Sequence, residues 1–127
     1  MNRTLVFDTG ALIAVERRSA RLQSLIQRAR LQQTSFLVPT AVVAQVVRAG
    51  GRQANLRRFL TDPAIRFAEL DYPTALQVGA LLGESGTSDV VDAAVVICAR
   101  TVGGAPVVTS DPDDITKLDP TLPLLTL

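Results

Sequence analysis

The chain has 127 residues, 47% of them hydrophobic and 20% charged, with one Cys, one Tyr, no Trp, no His and a net charge of +1. That length suits one domain with its own core, and the composition excludes a disordered chain. The missing imidazoles and thiols exclude His-based triads, His- or Cys-ligated zinc and an internal disulfide. Any catalysis must therefore rest on carboxylates, hydroxyls, Lys/Arg or a bound ion. With no Trp and a single Tyr, an aromatic platform for stacking bases is nearly out of reach. No apolar run approaches the roughly 20 residues of a membrane span and the amino terminus has no signal-peptide pattern, so a cytoplasmic protein is expected. The charge is divided along the chain. Residues 1–66 hold 11 Arg against Asp8, Glu16 and Asp62, and residues 67–127 hold Arg100 and Lys117 against nine acids. A basic half beside an acidic half pairs a polyanion with a cation, unless the Arg side chains only solubilise helix faces.

Thr4-Leu5-Val6-Phe7 is an apolar run ending in Asp8-Thr9-Gly10, which predicts a buried strand and a turn. Ala11 to Arg17 predicts a short helix with Thr9 as its cap. Ser19 to Gln33 places Leu22, Leu25, Ile26 and Ala29 at helical spacing. Ser35-Phe36-Leu37-Val38 is a second strand. Pro39 opens a helix running to about Arg48, and Gly50-Gly51 breaks it. Gln53 to Leu60 is helical, Ile65 to Leu70 alternates as a third strand, Pro73 to Leu82 is helical and Gly83 to Thr87 is a loop. Ser88 to Val102 is the strongest helix, with Ser88 as cap, Asp89 complementing its dipole and Gly103-Gly104 ending it. Pro106 to Thr109 is a fourth strand, followed by the acidic turn Ser110-Asp111-Pro112-Asp113-Asp114. A short helix near Ile115 to Leu118 and a strand at Leu124 to Thr126 close the chain. Strands alternating with helices predict an α/β domain, its largely parallel sheet covered on both faces.

Strands one and four both run directly into acids, and sites in open α/β sheets form at the carboxyl ends of strands near the switch in winding. Asp8 ends the first, and Asp111 and Asp114 follow the second. Asp89 and Asp92 are three apart on one helix face. Converging on one crevice, these five carboxylates would repel one another and bind a divalent cation. All-oxygen ligands favour Mg²⁺ or Mn²⁺. Taken singly, Asp8 also reads as a cap and Asp89 as a dipole-compensating residue. Asp92, set in the apolar run Val90 to Val95, needs a partner if buried. Asp113 reads as a solvated turn residue and Cys98 as core.

Four segments resemble the PIN-domain family, and within it the VapC-like toxins of toxin–antitoxin pairs. They are Val6-Phe7-Asp8-Thr9-Gly10-Ala11-Leu12-Ile13, Val38-Pro39-Thr40-Ala41-Val42-Val43-Ala44-Gln45-Val46, Asp92-Ala93-Ala94-Val95-Val96 and Thr109-Ser110-Asp111-Pro112-Asp113-Asp114-Ile115. Together they span nearly the whole chain. The resemblance implies one PIN-like domain over residues 1–127, with a five-strand parallel sheet in the order 3-2-1-4-5. It also implies a Mg²⁺- or Mn²⁺-dependent ribonuclease, a homodimer and a small antitoxin partner. By position, Asp8, Asp92 and Asp111 match the family's metal-binding acids and Asp114 the acid that follows. Thr9 and Thr109 match the hydroxyl residues beside them, and Asp89 is an added acid. Gln45 departs from the pattern, because the family has Glu there.

A unit charge about 4 Å from a dication gains about 8 kcal/mol gross at an effective dielectric of about 20, much of it cancelled by desolvation. Gln45 forgoes that gain. Arg48, Arg52, Arg57 and Arg58 flank the same helix and are candidate RNA phosphate contacts, with Arg57 and Arg58 equally readable as solvated or partner-facing. Two other readings compete with an active nuclease. One is a catalytically weakened PIN-like module that binds RNA or a protein partner. The other is a phosphoacceptor receiver, which requires an acidic pair after strand one and an acid after a middle strand; Asp8 stands alone and Pro63 to Leu70 offers no suitable acid.

Overall fold

A computed structural model describes residues 3–49 and 51–127. The strands are β1 (Thr4–Phe7), β2 (Ser35–Pro39), β3 (Ile65–Ala68), β4 (Val107–Thr109) and β5 (Leu124–Thr126). The α-helices are α1 (Thr9–Glu16), α2 (Ala20–Leu31), α3 (Thr40–Val46), α4 (Ala54–Leu60), α5 (Tyr72–Ser85), α6 (Val90–Thr101) and α7 (Pro112–Leu118). All strand pairs are parallel, in the order β3-β2-β1-β4-β5. The predicted α/β class and strand order hold.

The order explains the layering. Winding runs outward from β1 through β2 to β3, then crosses to β4 and on to β5. Right-handed crossovers in opposite directions put their helices on opposite faces. Accordingly α1 packs with α2, α3 and α4, while α5, α6 and α7 pack together, and α3 also meets α6. Leu5, Val6 and Phe7 of β1 are all buried, as a central parallel strand covered on both sides requires. On the α1–α4 side Phe59 stacks on Phe7 at 5.4 Å between ring centroids, with Phe36 at 5.5 Å from Phe7. On the other side α6 is buried without interruption from Ala93 to Ala99.

Several local expectations shift. The cap of α1 is Asp8, not Thr9: its carboxylate accepts the Ala11 N–H at 2.9 Å, so Thr9 becomes the first helical residue. The cap of α6 is Asp89, not Ser88, its carboxylate accepting the Asp92 N–H at 2.9 Å. Both are acids whose longer reach serves the amide three residues on and whose charge suits the helix N-terminus. Helix α3 ends at Val46, short of Arg48. Of the expected Gly50-Gly51 break, Gly50 lies outside the described residues and Gly51 opens a short 3₁₀ turn, Gly51–Gln53. Helix α5 runs through Gly83 to Ser85 and ends on left-handed Gly86 at φ 68°. Helix α7 starts at Pro112, so Asp113 and Asp114 stand in its first turn rather than in a loop. Strand β3 stops at Ala68, two residues before Leu70.

Candidate metal centre

The switch in winding falls between β1 and β4, and the carboxyl ends of those strands carry the first acids. Phe7 lies opposite Val108, and the Asp8 N–H still donates to the Val108 carbonyl at 3.2 Å. Asp8 is buried. Burial pushes its carboxyl upward and the nearby Asp111 charge adds to this. The Thr109 hydroxyl and the Ala11 and Gly10 amides act in the opposite sense. Thr109, fully buried, also accepts the Asp111 N–H at 2.9 Å and so fixes the turn after β4.

Gly10 lets the two strand ends approach. A Cβ there would stand 2.0 Å from Ser110 Oγ and 3.2 Å from the Ser110 nitrogen, on the turn that carries Asp111. Ser110 was not singled out by sequence; only the helix-opening Gly10 hints at a close neighbour.

Asp92, half-buried at the start of α6, has its carboxyl pushed up to about 7. Burial is the largest cause, followed by the charges of Asp89, Asp114 and Asp8. Asp111 is also raised, through its hydrogen bond and charge contact with Asp114, while Lys117 pulls it down slightly. Asp113 is exposed and contributes only a minor charge to Asp111. The structure thus gathers Asp8, Asp89, Asp92, Asp111 and Asp114, with Asp92 at the focus. The two ion pairs among the described residues, Arg30–Asp62 at 2.6 Å and Arg100–Asp119 at 2.7 Å, involve none of these five.

This donor set fits a hard divalent cation. Every candidate donor atom is oxygen, no salt-bridged Arg or Lys neutralises the cluster, and the charges of Asp89, Asp114 and Asp8 add to burial in raising Asp92. Among the described residues, however, no three Asp, Glu or Cys side chains stand close enough as placed to ligate one ion. The acids are neighbours, but they are not closed on a single point.

Gln45 is exposed on α3. It lines an adjoining groove of about 460 Å³ together with Thr9, Ile13, Glu16, Arg17, Val46, Arg48 and Arg52. Thr9 is the link, since it follows Asp8 directly. Of the four candidate RNA arginines, Arg48 and Arg52 share this groove. Arg48 is pinned: its Nη1 donates to the Ala44 and Val47 carbonyls at 3.2 and 2.9 Å. Arg57 donates to the Arg48 carbonyl at 3.3 Å. Arg58 lies apart, in a groove with Arg18, Arg30 and Asp62. Buried Gln53 staples the loop after α3. It accepts the Arg48 N–H at 2.7 Å and donates to the Val46 carbonyl at 2.9 Å. Sequence reasoning passed over Glu16 and Arg17, although Thr9, Ile13 and Glu16 recur at helical spacing.

No helix of the described residues is long and apolar enough to cross a membrane. No sequence-family model and no curated protein sequence matches the chain. Solved structures do. A chain of DNA-bound VapBC from Salmonella typhimurium matches at TM-score 0.71 and 14% identity, covering 98% of both chains. A chain of VapBC2 from Rickettsia felis, bound to a DNA fragment from the promoter, matches at TM-score 0.70 and 13% identity, also over 98% of both. A chain of a toxin–antitoxin complex from Klebsiella pneumoniae matches at TM-score 0.70 and 16% identity over 96% of both. The chain therefore has a PIN-like fold, shared with chains of these toxin–antitoxin complexes.

Proposed function

We propose that this protein is a divalent-metal-dependent endoribonuclease, the toxin of a two-protein toxin–antitoxin pair, acting in the cytoplasm on cellular RNA. The observation that carries the reading is the acid cluster at the winding switch, where Asp92 is half-buried and its carboxyl is pushed up to about 7, first by burial and then by the charges of Asp89, Asp114 and Asp8. The fold shared with VapBC chains supports the toxin assignment and a small antitoxin as partner. In this reading Asp8, Asp92 and Asp111 hold Mg²⁺ or Mn²⁺, with Asp89 and Asp114 adding charge around it. An ion held there would supply a lowered water pKa and charge to offset that of a phosphate.

The chain's own groups do the positioning. Thr109 faces Asp8 and holds the Asp111 amide, so one hydroxyl links two ligands on different strands. The Ala11 N–H fixes one oxygen of Asp8 and the Asp92 N–H fixes one oxygen of Asp89. Thr9, the residue after Asp8, lines the basic groove together with Gln45. Exposed Phe67, Leu70, Tyr72 and Leu76, at the β3 edge and along α5, support self-association into a homodimer.

A second reading, a catalytically weakened module that binds RNA or a protein, is favoured by Gln45, a neutral amide where the family pattern has an acid. One experiment separates the two. A mixed RNA pool is incubated with the protein in Mn²⁺, in Mg²⁺ and in EDTA, with Asp8→Asn as control. Cleavage that needs the metal and Asp8 supports the nuclease. Metal binding by calorimetry without cleavage supports the weakened module and refutes the nuclease.

A further inference from the structure

The groove between α1 and α3 combines features that the acid cluster lacks. Arg17, Arg48 and Arg52 line it, all exposed, against the single carboxylate of Glu16. Among the described residues Arg17 and Arg52 enter no side-chain hydrogen bond or ion pair, so their guanidinium groups keep their full donor sets for a ligand. Arg48 is held by two backbone carbonyls, which presets its position and leaves other N–H groups facing out. Thr9, one residue after Asp8 in the chain, is part of the lining. The α1 backbone from Thr9 to Arg17 rises about 12 Å at about 1.5 Å per residue, so Arg17 stands that far along the helix from the residue beside Asp8.

We infer that this groove is a phosphate track: Arg17, Arg48 and Arg52 hold the backbone of a single RNA strand and lead it to the acid cluster at Thr9. The inference deepens the nuclease reading and rests on it for the class of substrate. An acidic peptide is the less suitable occupant. The lining offers only Ile13 and Val46 as apolar residues, too few to anchor a peptide segment, whereas three exposed guanidinium groups match the evenly spaced charges of a phosphodiester strand. The groove contains no aromatic side chain, so recognition is through phosphates, tolerant of sequence and steeply salt-dependent.

The test measures binding separately from cleavage. A fluorescein-labelled, 2′-O-methylated RNA oligonucleotide, which resists cleavage, is titrated with the full-length protein in EDTA at several salt concentrations, and anisotropy is read. For a single strand each lost phosphate contact lowers the slope of log K against log salt by about 0.7, so Arg17→Ala with Arg52→Ala lowers it by about 1.4. Affinity at low salt falls about ten-fold. Glu16→Gln strengthens binding about three-fold by removing the groove's carboxylate. Arg28→Ala serves as control and leaves binding unchanged. Arg28 lines a groove with Thr4 and Pro106, at the amino ends of β1 and β4 and so at the far end of the sheet.

An unchanged slope in the double variant overturns the track, and so does an equal loss in Arg28→Ala. A poly-glutamate peptide that binds with the same Arg17 and Arg52 dependence while the RNA does not also overturns it, making the groove a protein-docking site. The two readings fail separately. RNA binding with the predicted slopes but no cleavage in Mn²⁺ refutes the nuclease and leaves the track. Metal-dependent cleavage with an unchanged slope refutes the track and leaves the nuclease.

Discussion

Replacing Asp92 by Asn probes the acid cluster through its cost to the metal-free fold. The folded-state carboxyl holds its proton up to about pH 7, whereas the unfolded chain releases it near its ordinary 3.8. Between those values the folded state binds more protons, so stability falls as pH rises through that window and is flat above it. The interval of about three units corresponds to about 4 kcal/mol gross, and solvent around this half-buried side chain reduces it to about 2 kcal/mol. Asn removes the charge and its amide can still donate to Asp89. In EDTA at pH 8 the variant gains about 2 kcal/mol, a rise of roughly 6 to 10 °C in Tm for a domain of this size. At pH 4 the two proteins melt together, because Asp92 is then protonated when folded and the charge no longer matters. Excess Mg²⁺ at about one hundred times its Kd stabilises the unsubstituted protein by about 2.7 kcal/mol, and most of that is lost in the variant. Thermal melts by circular dichroism at pH 4, 6 and 8, with and without Mg²⁺, read all of this. A variant less stable at every pH refutes the reasoning and makes Asp92 a structural hydrogen-bonding residue.

Gly10→Ala drives a Cβ into Ser110 and lowers stability by about 1 to 3 kcal/mol in thermal melts; Ser110→Gly restores most of it, and an unaffected single variant refutes the close approach. Gln45→Glu adds a carboxylate beside Thr9 and raises Mg²⁺ affinity about ten-fold, which needs only about 1.4 kcal/mol to survive desolvation. Unchanged affinity by titration calorimetry places residue 45 outside the metal's reach. Light scattering at micromolar concentration gives a dimer, which Leu76→Glu dissociates if the α5 face carries the contact; a monomer at the outset refutes self-association.

Much of this was legible where one signal dominated. The run Thr4 to Phe7 ending in Asp8 could hardly be anything but a central strand, and the Ala/Val/Ile stretch of α6 could only be a buried helix. Competing signals were harder to resolve. Ser88 and Asp89 are both good caps, and only the amide geometry of Asp92 selects the second. Gly83 reads as a breaker, yet α5 passes through it, because a glycine's penalty of about 1 kcal/mol is smaller than the gain from packing that helix on α6. The acids could be placed at strand ends by pattern, but their contacts are tertiary. That Asp114 bonds Asp111 depends on α7 beginning at Pro112, three residues earlier than the apolar pattern suggested. Likewise, helix spacing could not tell which way Arg58 faces from the α4 register alone.

Acidic and basic surroundings meet at a single residue pair. Asp8 and Thr9 are adjacent, yet Asp8 is buried in the acid cluster while Thr9 lines the arginine groove. A phosphodiester strand meets opposite fields on the two sides of that boundary. The arginines attract it and the bare carboxylates repel it, so the cluster can admit a phosphate only when a cation offsets its charge. If the proposed cation and strand both bind, the strand adds negative charge beside the cation, and each then favours the other by an equal factor. In this arrangement Gln45 has a physical rationale as well as a cost. A carboxylate there would strengthen the ion's site, but it would also stand in the mouth of the groove beside Glu16, placing a second negative charge in the path of the strand.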